Sequence, residues 1–539
     1  MPTLDWIGKA AVVNHHREVP TRLLHCDGAL SAGDADAGNL LVEGDNLEAL
    51  KALLPYYGGQ VKCIYIDPPY NTGNEGWVYN DNVNSPEIRA WLDKVVGREA
   101  EDLCRHDKWL CMMYPRLRLL KDFLTPDGFV LVSIDDVEVA RLRLLLDEIF
   151  GMAGFVSCFV WKSRKFLDSR STTNVSNDHE YIFAYRSSET GRFKGLERDE
   201  KKFNNLDNDP RGAWMSRSIL GLANAQQRPN LHFPIFDPAN SVRFDPPANT
   251  GWRYGPDRME KMISEGRIIF PVKPDGRPRE KKFQEDLLNQ FMAIPSVISD
   301  IHTADGSAEI RDIFGHQIFE FPKPSALIQR FFEQVADGPC IVLDSFAGSG
   351  TSGHAALKLQ AAGVDCNFIL VEIDPKTARE ITSEKLRRVI NGYERQLPNG
   401  KSEAVVGLGG GFRYCTLGKP LFDEWGTISE GVNFADLAAF VFFSDTGSPI
   451  LAKATGDSSL LGLFQNRAVH LLWSAESAGI ANAGAGNVLT AEMLAALPKP
   501  SPDFDGAAVV YGEGCTVTAE RLAAAGVSFK QIPYQVIGA

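Results

Sequence analysis

The chain has 539 residues, of which 44% are hydrophobic and 23% charged, and a formal net charge of −13. That length predicts two to four globular domains, and no apolar run is long enough to span a membrane. The start, Met1-Pro2-Thr3-Leu4-Asp5-Trp6, lacks a basic and apolar secretory signal, and nine cysteines without a CxxC pair or metal-spaced histidines suit a reduced cytoplasm, with no metal site expected.

The net charge alone disfavours a nucleic-acid partner, but it is unevenly spread. Residues 161–290 carry 23 Lys+Arg against 18 Asp+Glu, a local +5. The clusters are Lys162 to Lys165, Lys201-Lys202 and Lys273 to Lys282. Such runs are also what a solvated surface looks like.

Leu40-Leu41-Val42 reads as a short strand, followed by a helix over Leu47–Leu54 that Asn46 is placed to cap. Val61 to Ile66 is a β-prone run that stops at Asp67-Pro68-Pro69-Tyr70. The two prolines remove backbone donors and hold the turn in a narrow range of φ, giving a rigid strand end with a carboxylate, free carbonyls and a ring. Ligands bind at the carboxyl ends of strands in open α/β sheets. A helix over Trp109–Leu124, a strand over Phe129–Ile134 and a helix over Val137–Phe150 continue an alternation that predicts a parallel sheet.

From about Val156 to Phe319 the period is lost, and Asn, Pro, Gly and Arg abound; this stretch reads as an inserted domain. The alternation then returns: helix Ser325–Val335, strand Cys340–Leu343, helix Thr351–Ala362, strand Asn367–Val371, and a helix from Lys376 to about Tyr393. Asn399 to Ser402 and Gly407 to Gly411 look like a linker before a small α/β unit.

Gly348, Gly350 and Gly353 match G-x-G-x-x-G between a strand and a helix, with Glu372 ending the next strand, where an acid can take ribose hydroxyls. A dinucleotide-dependent dehydrogenase or a purely structural turn would use the same glycines.

Together, Phe346-Ala347-Gly348-Ser349-Gly350 and Asp67-Pro68-Pro69-Tyr70 resemble the amino-methyltransferases of DNA. The tetrad precedes the Gly loop by roughly 280 residues, with a variable domain between. That order resembles the β class of these enzymes. Val42 to Leu47, Tyr65 to Gly73, Met113 to Leu117, Ser133 to Asp136 and Phe321-Pro322-Lys323-Pro324 narrow it to the modification subunits of type III restriction-modification systems. The resemblance covers roughly residues 1–395.

It implies an α/β fold: a Rossmann-like, circularly permuted S-adenosylmethionine-dependent methyltransferase sheet. The methyltransferase domain would occupy 1–155 and 320–400, a target-recognition domain 156–319 and a small C-terminal accessory α/β domain 401–539. Asp67, Pro68, Pro69 and Tyr70 would be catalytic. Asp45, Asn46, Lys323, Asp344, Ser345, Phe346, Gly348, Gly350, Thr351 and Glu372 would hold S-adenosylmethionine, with Thr351 or Ser345 on its carboxylate and Glu372 on the ribose. Asp81 resembles a polar family position. Double-stranded DNA with a flipped adenine, a second copy of the chain and a helicase-nuclease (Res-type) subunit are the implied partners. In the inserted domain, Arg164, Lys165, Arg170, Asn174, Arg217, Gln226, Gln227 and Arg228 are candidate DNA contacts. Asp as the first tetrad residue leans towards adenine over cytosine N4. A DNA-reading scaffold with little turnover, or an RNA or protein methyltransferase, would share parts of this pattern.

Overall fold

The computed structural model describes residues 3–34, 36–72, 104–169, 171–272, 276–287, 291–397, 400–478 and 480–532. Asp81, Arg170, Lys273 and Asn399 lie outside them. The chain is mixed α/β, and its largest element is a ten-stranded mixed sheet. The strands are β1 (Arg22–Gly33), β2 (Leu40–Glu43), β3 (Val61–Ile66), β4 (Leu124–Ile134) and β5 (Phe155–Trp161). They continue with β6 (Glu180–Arg186), β7 (Val297–Ile298), β8 (Cys340–Asp344), β9 (Cys366–Glu372) and β10 (Gly411–Pro420). Their order is β1-β10-β2-β9-β8-β3-β4-β6-β5-β7.

The run from β10 to β4 is parallel. β8 lies between β3 and β9, with Leu343 opposite Ile64 and Ile369. The carboxyl ends of β2, β9, β8 and β3 therefore share one edge, which carries Glu43, Glu372, Asp344 and Asp67. β3 is buried almost throughout, as its unbroken apolar run requires of a strand covered on both faces. Ile64, Ile66, Val130 and Val132 pack into one core with the helices Asn46–Tyr57, Arg105–Phe123 and Val139–Phe150. The helix Thr351–Ala361 packs against β8, β9 and the helix Ser325–Glu333.

Several sequence expectations shift here. Asp45 caps the first of these helices, accepting from the N–H groups of Leu47 and Glu48; Asn46 is already inside it. The helix expected over 376–393 begins as a π-helical turn, Thr377–Thr382, and is α-helical only over Ser383–Asn391. The segment expected to be a linker is structured. Gly392–Gln396 and Ser402–Val406 pair as an antiparallel hairpin, and Gly411 opens β10. Gly407 is there for close approach: a Cβ on it would lie 2.2 Å from the Ile390 carbonyl oxygen.

Within 156–319, β5, β6 and β7 belong to the large sheet, and Gly195–Ile294 forms a compact unit of its own. That unit has a small core of Ile219, Ile235, Trp252, Met259, Met262 and Ile268. Many of its basic residues are paired within it: Lys281 with Asp207 and Asp209, Arg211 with Asp209, and Arg267 with Asp286. Arg217, Gln226, Gln227 and Arg228 are exposed. After β10, a four-stranded sheet of Leu460–Phe464, Arg467–Leu471, Ala507–Gly512 and Val527–Gln531 packs with the helix Phe434–Thr446. No helix among the described residues is long and apolar enough to cross a membrane.

Candidate functional site

The Asp67-Pro68-Pro69-Tyr70 turn is held from several sides. Trp109, fully buried, donates its indole N–H to the Pro69 carbonyl at 2.6 Å. Asn71 follows with φ 59°, a left-handed conformation that asparagine tolerates well. Its amide donates to Glu138 Oε1 at 2.5 Å and to the Arg105 carbonyl at 3.2 Å. Tyr70 donates its hydroxyl to Glu180 Oε2 at 2.8 Å. Burial, and then the charges of Asp67 and Glu180, push the Tyr70 phenol well above its usual range.

Asp67 is met by Lys323, whose Nζ lies 2.8 and 2.7 Å from the two carboxylate oxygens. The same ammonium is 3.4 Å from Glu180 and 4.8 Å from the centre of the Tyr70 ring. Burial alone lowers the Lys323 ammonium, but Asp67 and Glu180 outweigh it and hold it above its usual value. Lys323 is placed by its segment. Glu309 accepts from the backbone N–H and hydroxyl of Ser325, fixing the start of the next helix, and Gly306 lets Pro322-Lys323-Pro324 lie directly on the helix Thr303–Phe314.

Beside the tetrad stands the Gly loop. Gly348 and Gly350 have φ of +51° and +74°, which favour glycine. Glu372 accepts from the N–H of Gly348 at 2.8 Å and of Asp374 at 2.9 Å. Burial raises its carboxyl to about 8 against those N–H donors. Asp344 accepts from Phe346 N–H at 2.9 Å and Ser352 Oγ at 2.5 Å, and burial raises it to about 7. Thr382, in the π-helical turn, donates to the Gly348 carbonyl at 2.6 Å. Asn46 donates to the Ser345 carbonyl at 3.0 Å and accepts from Arg116. Arg116 also donates to Asp45 Oδ2 at 2.9 Å.

The sequence-derived residues thus fall into groups. Asp67, Lys323, Asp344, Phe346, Gly348 and Thr351 line one cleft, together with Tyr65, Phe319, Phe321 and Ile328. Glu372 and Asn46 hold the loop by hydrogen bonds, and the Asp45 carboxylate is taken up by its helix cap and Arg116. Lys323 sits on the tetrad. Ser345 Oγ is buried and has no hydrogen-bond partner among the described residues, whereas Thr351 Oγ1 is engaged by Ser349 and Lys385. Sequence reasoning missed Glu180, Trp109, Arg116 and Glu138. Glu180 opens β6, inside the stretch read as an insertion, so no local signal marked it.

Comparison with known proteins now decides the family. Residues 61–383 match the DNA methylase family of the N6/N4 type. The chain belongs to the N6/N4 DNA methylase family. The methylase is 30% identical over 467 residues to the Mod subunit of the type III restriction-modification enzyme StyLTI of Salmonella typhimurium, covering 81% of this chain and 68% of that one. It is 31% identical over 417 residues to the EcoPI Mod subunit of Escherichia phage P1, covering 69% and 63%. The methylase therefore spans about two thirds of the length of these relatives. Among solved structures, the cytosine-N4-specific PvuII DNA methyltransferase is similar at 12% identity and TM-score 0.34, over 64% of this chain and 86% of that one.

Proposed function

We propose that this methylase transfers the methyl group of S-adenosylmethionine to adenine N6 in double-stranded DNA, as the modification subunit of a type III or type III-like restriction-modification system. The observation that carries the reading is the adjacency of β3 and β8, which brings the Asp67 carboxylate and the Gly loop onto one cleft. The position of β8 and β9, late in the chain yet central in the sheet, supports the circularly permuted arrangement. The compact unit Gly195–Ile294 is the part of the inserted 156–319 region best suited to target recognition.

The residues present fit the cofactor. Ser345 Oγ is a buried polar atom lacking a partner among the described residues, and Gly348 and Gly350 carry no side chain to block a close approach. Phe346 lines the pocket, Ser345 takes the carboxylate, with Thr351 in reserve, and Glu372 accepts from the ribose hydroxyls. Asp344, Asn46 and Asp45 brace the loop. When bound, S-adenosylmethionine supplies an electrophilic methyl on a sulfonium and is left as a neutral thioether.

Adenine N6 is a poor nucleophile because its lone pair is delocalised into the ring. The Asp67 carboxylate and the Pro68 carbonyl accept from its two N–H groups and favour a pyramidal nitrogen. That stabilises charge developing in the transition state, where it raises the rate. Asp67 would take up the N6 proton and pass it to solvent. Tyr70 offers a ring on which the flipped base stacks. A cytoplasmic site of action, a dimer and a Res-type partner complete the reading.

The test incubates the chain with DNA and methyl-labelled S-adenosylmethionine and digests the DNA to nucleosides. Label in N6-methyladenine is expected. Label in N4-methylcytosine overturns the base assignment, and cofactor binding without label in any DNA removes the activity.

A further inference from the structure

We infer that Lys323 is a positioning residue: its ammonium, shared by Asp67 and Glu180, locks the acceptor carboxylate and the stacking tyrosine into one unit. This rests on the reading of Asp67 as the acceptor for an exocyclic amine. One buried cation contacts both oxygens of Asp67, at 2.8 and 2.7 Å. It also contacts Glu180 at 3.4 Å, and Glu180 accepts the Tyr70 hydroxyl at 2.8 Å. The rings of Tyr70 and Trp161 close over it at 4.8 and 5.8 Å. The acceptor and the stacking face of the tetrad are thereby joined through two side chains outside it.

The arrangement has a chemical purpose. Exocyclic nitrogen needs an acceptor that is ionised and correctly aimed before it attacks. A long ammonium side chain held on both carboxylate oxygens sets that aim, and a displacement of about 1 Å at such a site costs on the order of 10²-fold in rate. Without the cation, Asp67 and Glu180 face each other as like charges, and such pairs retain a proton. A protonated Asp67 presents an O–H where the amine needs an acceptor. The titratable groups facing the ammonium are Asp67, Glu180 and Tyr70; Tyr65 and Asp344 are the next ionisable neighbours of Asp67.

The experiment uses the full chain, a DNA duplex that the wild type labels, and S-adenosylmethionine. It compares wild type, Lys323→Met, Lys323→Arg and Glu180→Gln for single-turnover rate, cofactor affinity, melting temperature and the pH dependence of the rate. Lys323→Met is expected to lose about 10²-fold in rate at saturating cofactor while binding cofactor nearly as wild type. Its acidic limb is expected at higher pH, and Lys323→Arg restores part of the rate. Glu180→Gln, which keeps an acceptor for Tyr70, is expected to raise the KM for DNA with a smaller loss of rate. A Lys323→Met chain with weakened cofactor binding and a wild-type rate at saturation makes Lys323 a cofactor ligand and overturns the proposal. So does a lowered melting temperature with the acidic limb and the rate unmoved. A wild type that binds cofactor and labels no DNA brings down the activity itself, a result distinct from either.

Discussion

The indole N–H of Trp109 donates to the carbonyl of Pro69 at 2.6 Å, across 40 positions of sequence. A proline pair leaves its carbonyls without neighbouring N–H donors, so the turn depends on side chains from elsewhere for its satisfaction. Trp109 takes the Pro69 carbonyl, and in the proposed function that of Pro68 accepts from the substrate amine. Trp109→Phe retains most of the packing but strands a carbonyl, at a cost of about 1–3 kcal/mol. The expected outcome is a lower melting temperature together with a slower methyl transfer at saturating cofactor. A variant that melts lower yet turns over at the wild-type rate would separate the turn's rigidity from its chemistry.

Asp67→Ala removes the acceptor and leaves the Gly loop intact, since no loop hydrogen bond runs through Asp67 among the described residues. Transfer is expected to vanish from a labelled-methyl assay while S-adenosylmethionine binding, read by calorimetry, largely persists. Measurable turnover in this variant, beyond contamination by wild type, would remove Asp67 from the chemistry.

These two residues also show how much a sequence discloses. β3 and its proline turn are legible because a β-prone run, buried at five of its six positions, ends at two prolines, and the Gly loop because its glycines sit between an apolar strand and a helix. β5 and β6 are not: their faces mix buried and half-exposed positions, and the polar, Ser-rich segment between them masks the return to the sheet. The hairpin Gly392–Gln396 and Ser402–Val406 is largely exposed, so its polar residues carry no period. Lys323 is visible as part of a motif, but its contact with Asp67 spans 256 positions. No local pattern encodes a pairing made by the crossing of two distant segments.

Asp344 and Glu372 each make a contribution to stability whose pH dependence has a definite sign. Both are buried, and burial raises them from 3.8 to about 7 and from 4.5 to about 8. A carboxyl whose folded value lies above its unfolded one binds its proton more tightly in the folded state. Its stabilising contribution is complete below the unfolded value and is lost as pH rises through the folded one. The melting temperature of the cofactor-free wild type is therefore expected to fall relative to that of Glu372→Gln as pH rises from about 4.5 to about 8. Ribose hydroxyls prefer an ionised acceptor, so S-adenosylmethionine affinity should strengthen as pH rises through about 8 in wild type and stay level in Glu372→Gln. A wild-type melting temperature that climbs relative to that of Glu372→Gln over the same range would contradict the burial of this carboxyl.

Gly306 shows how a residue far from the chemistry controls it. It lies in the helix Thr303–Phe314, and a Cβ on it would stand 2.2 Å from the Pro322 carbonyl oxygen and 2.9 Å from both the Lys323 carbonyl carbon and the Pro324 nitrogen. All three are backbone atoms, and no flexible side-chain end can yield. Gly306→Ala must push the Pro322-Lys323-Pro324 segment away from the helix, an overpacking that typically costs about 1–3 kcal/mol. The same displacement draws the Lys323 ammonium off Asp67. The rate of methyl transfer is thus expected to fall further than the stability loss alone accounts for at a temperature where the variant is fully folded. Gly315→Ala is the control. Gly315 follows the same helix with φ +81° and open space around its Cβ position, so it strains the backbone without touching the lysine segment. Equal losses of activity in both variants, measured at matched folded fractions, would show that helix stability, and not the placement of Lys323, is what the methylase loses.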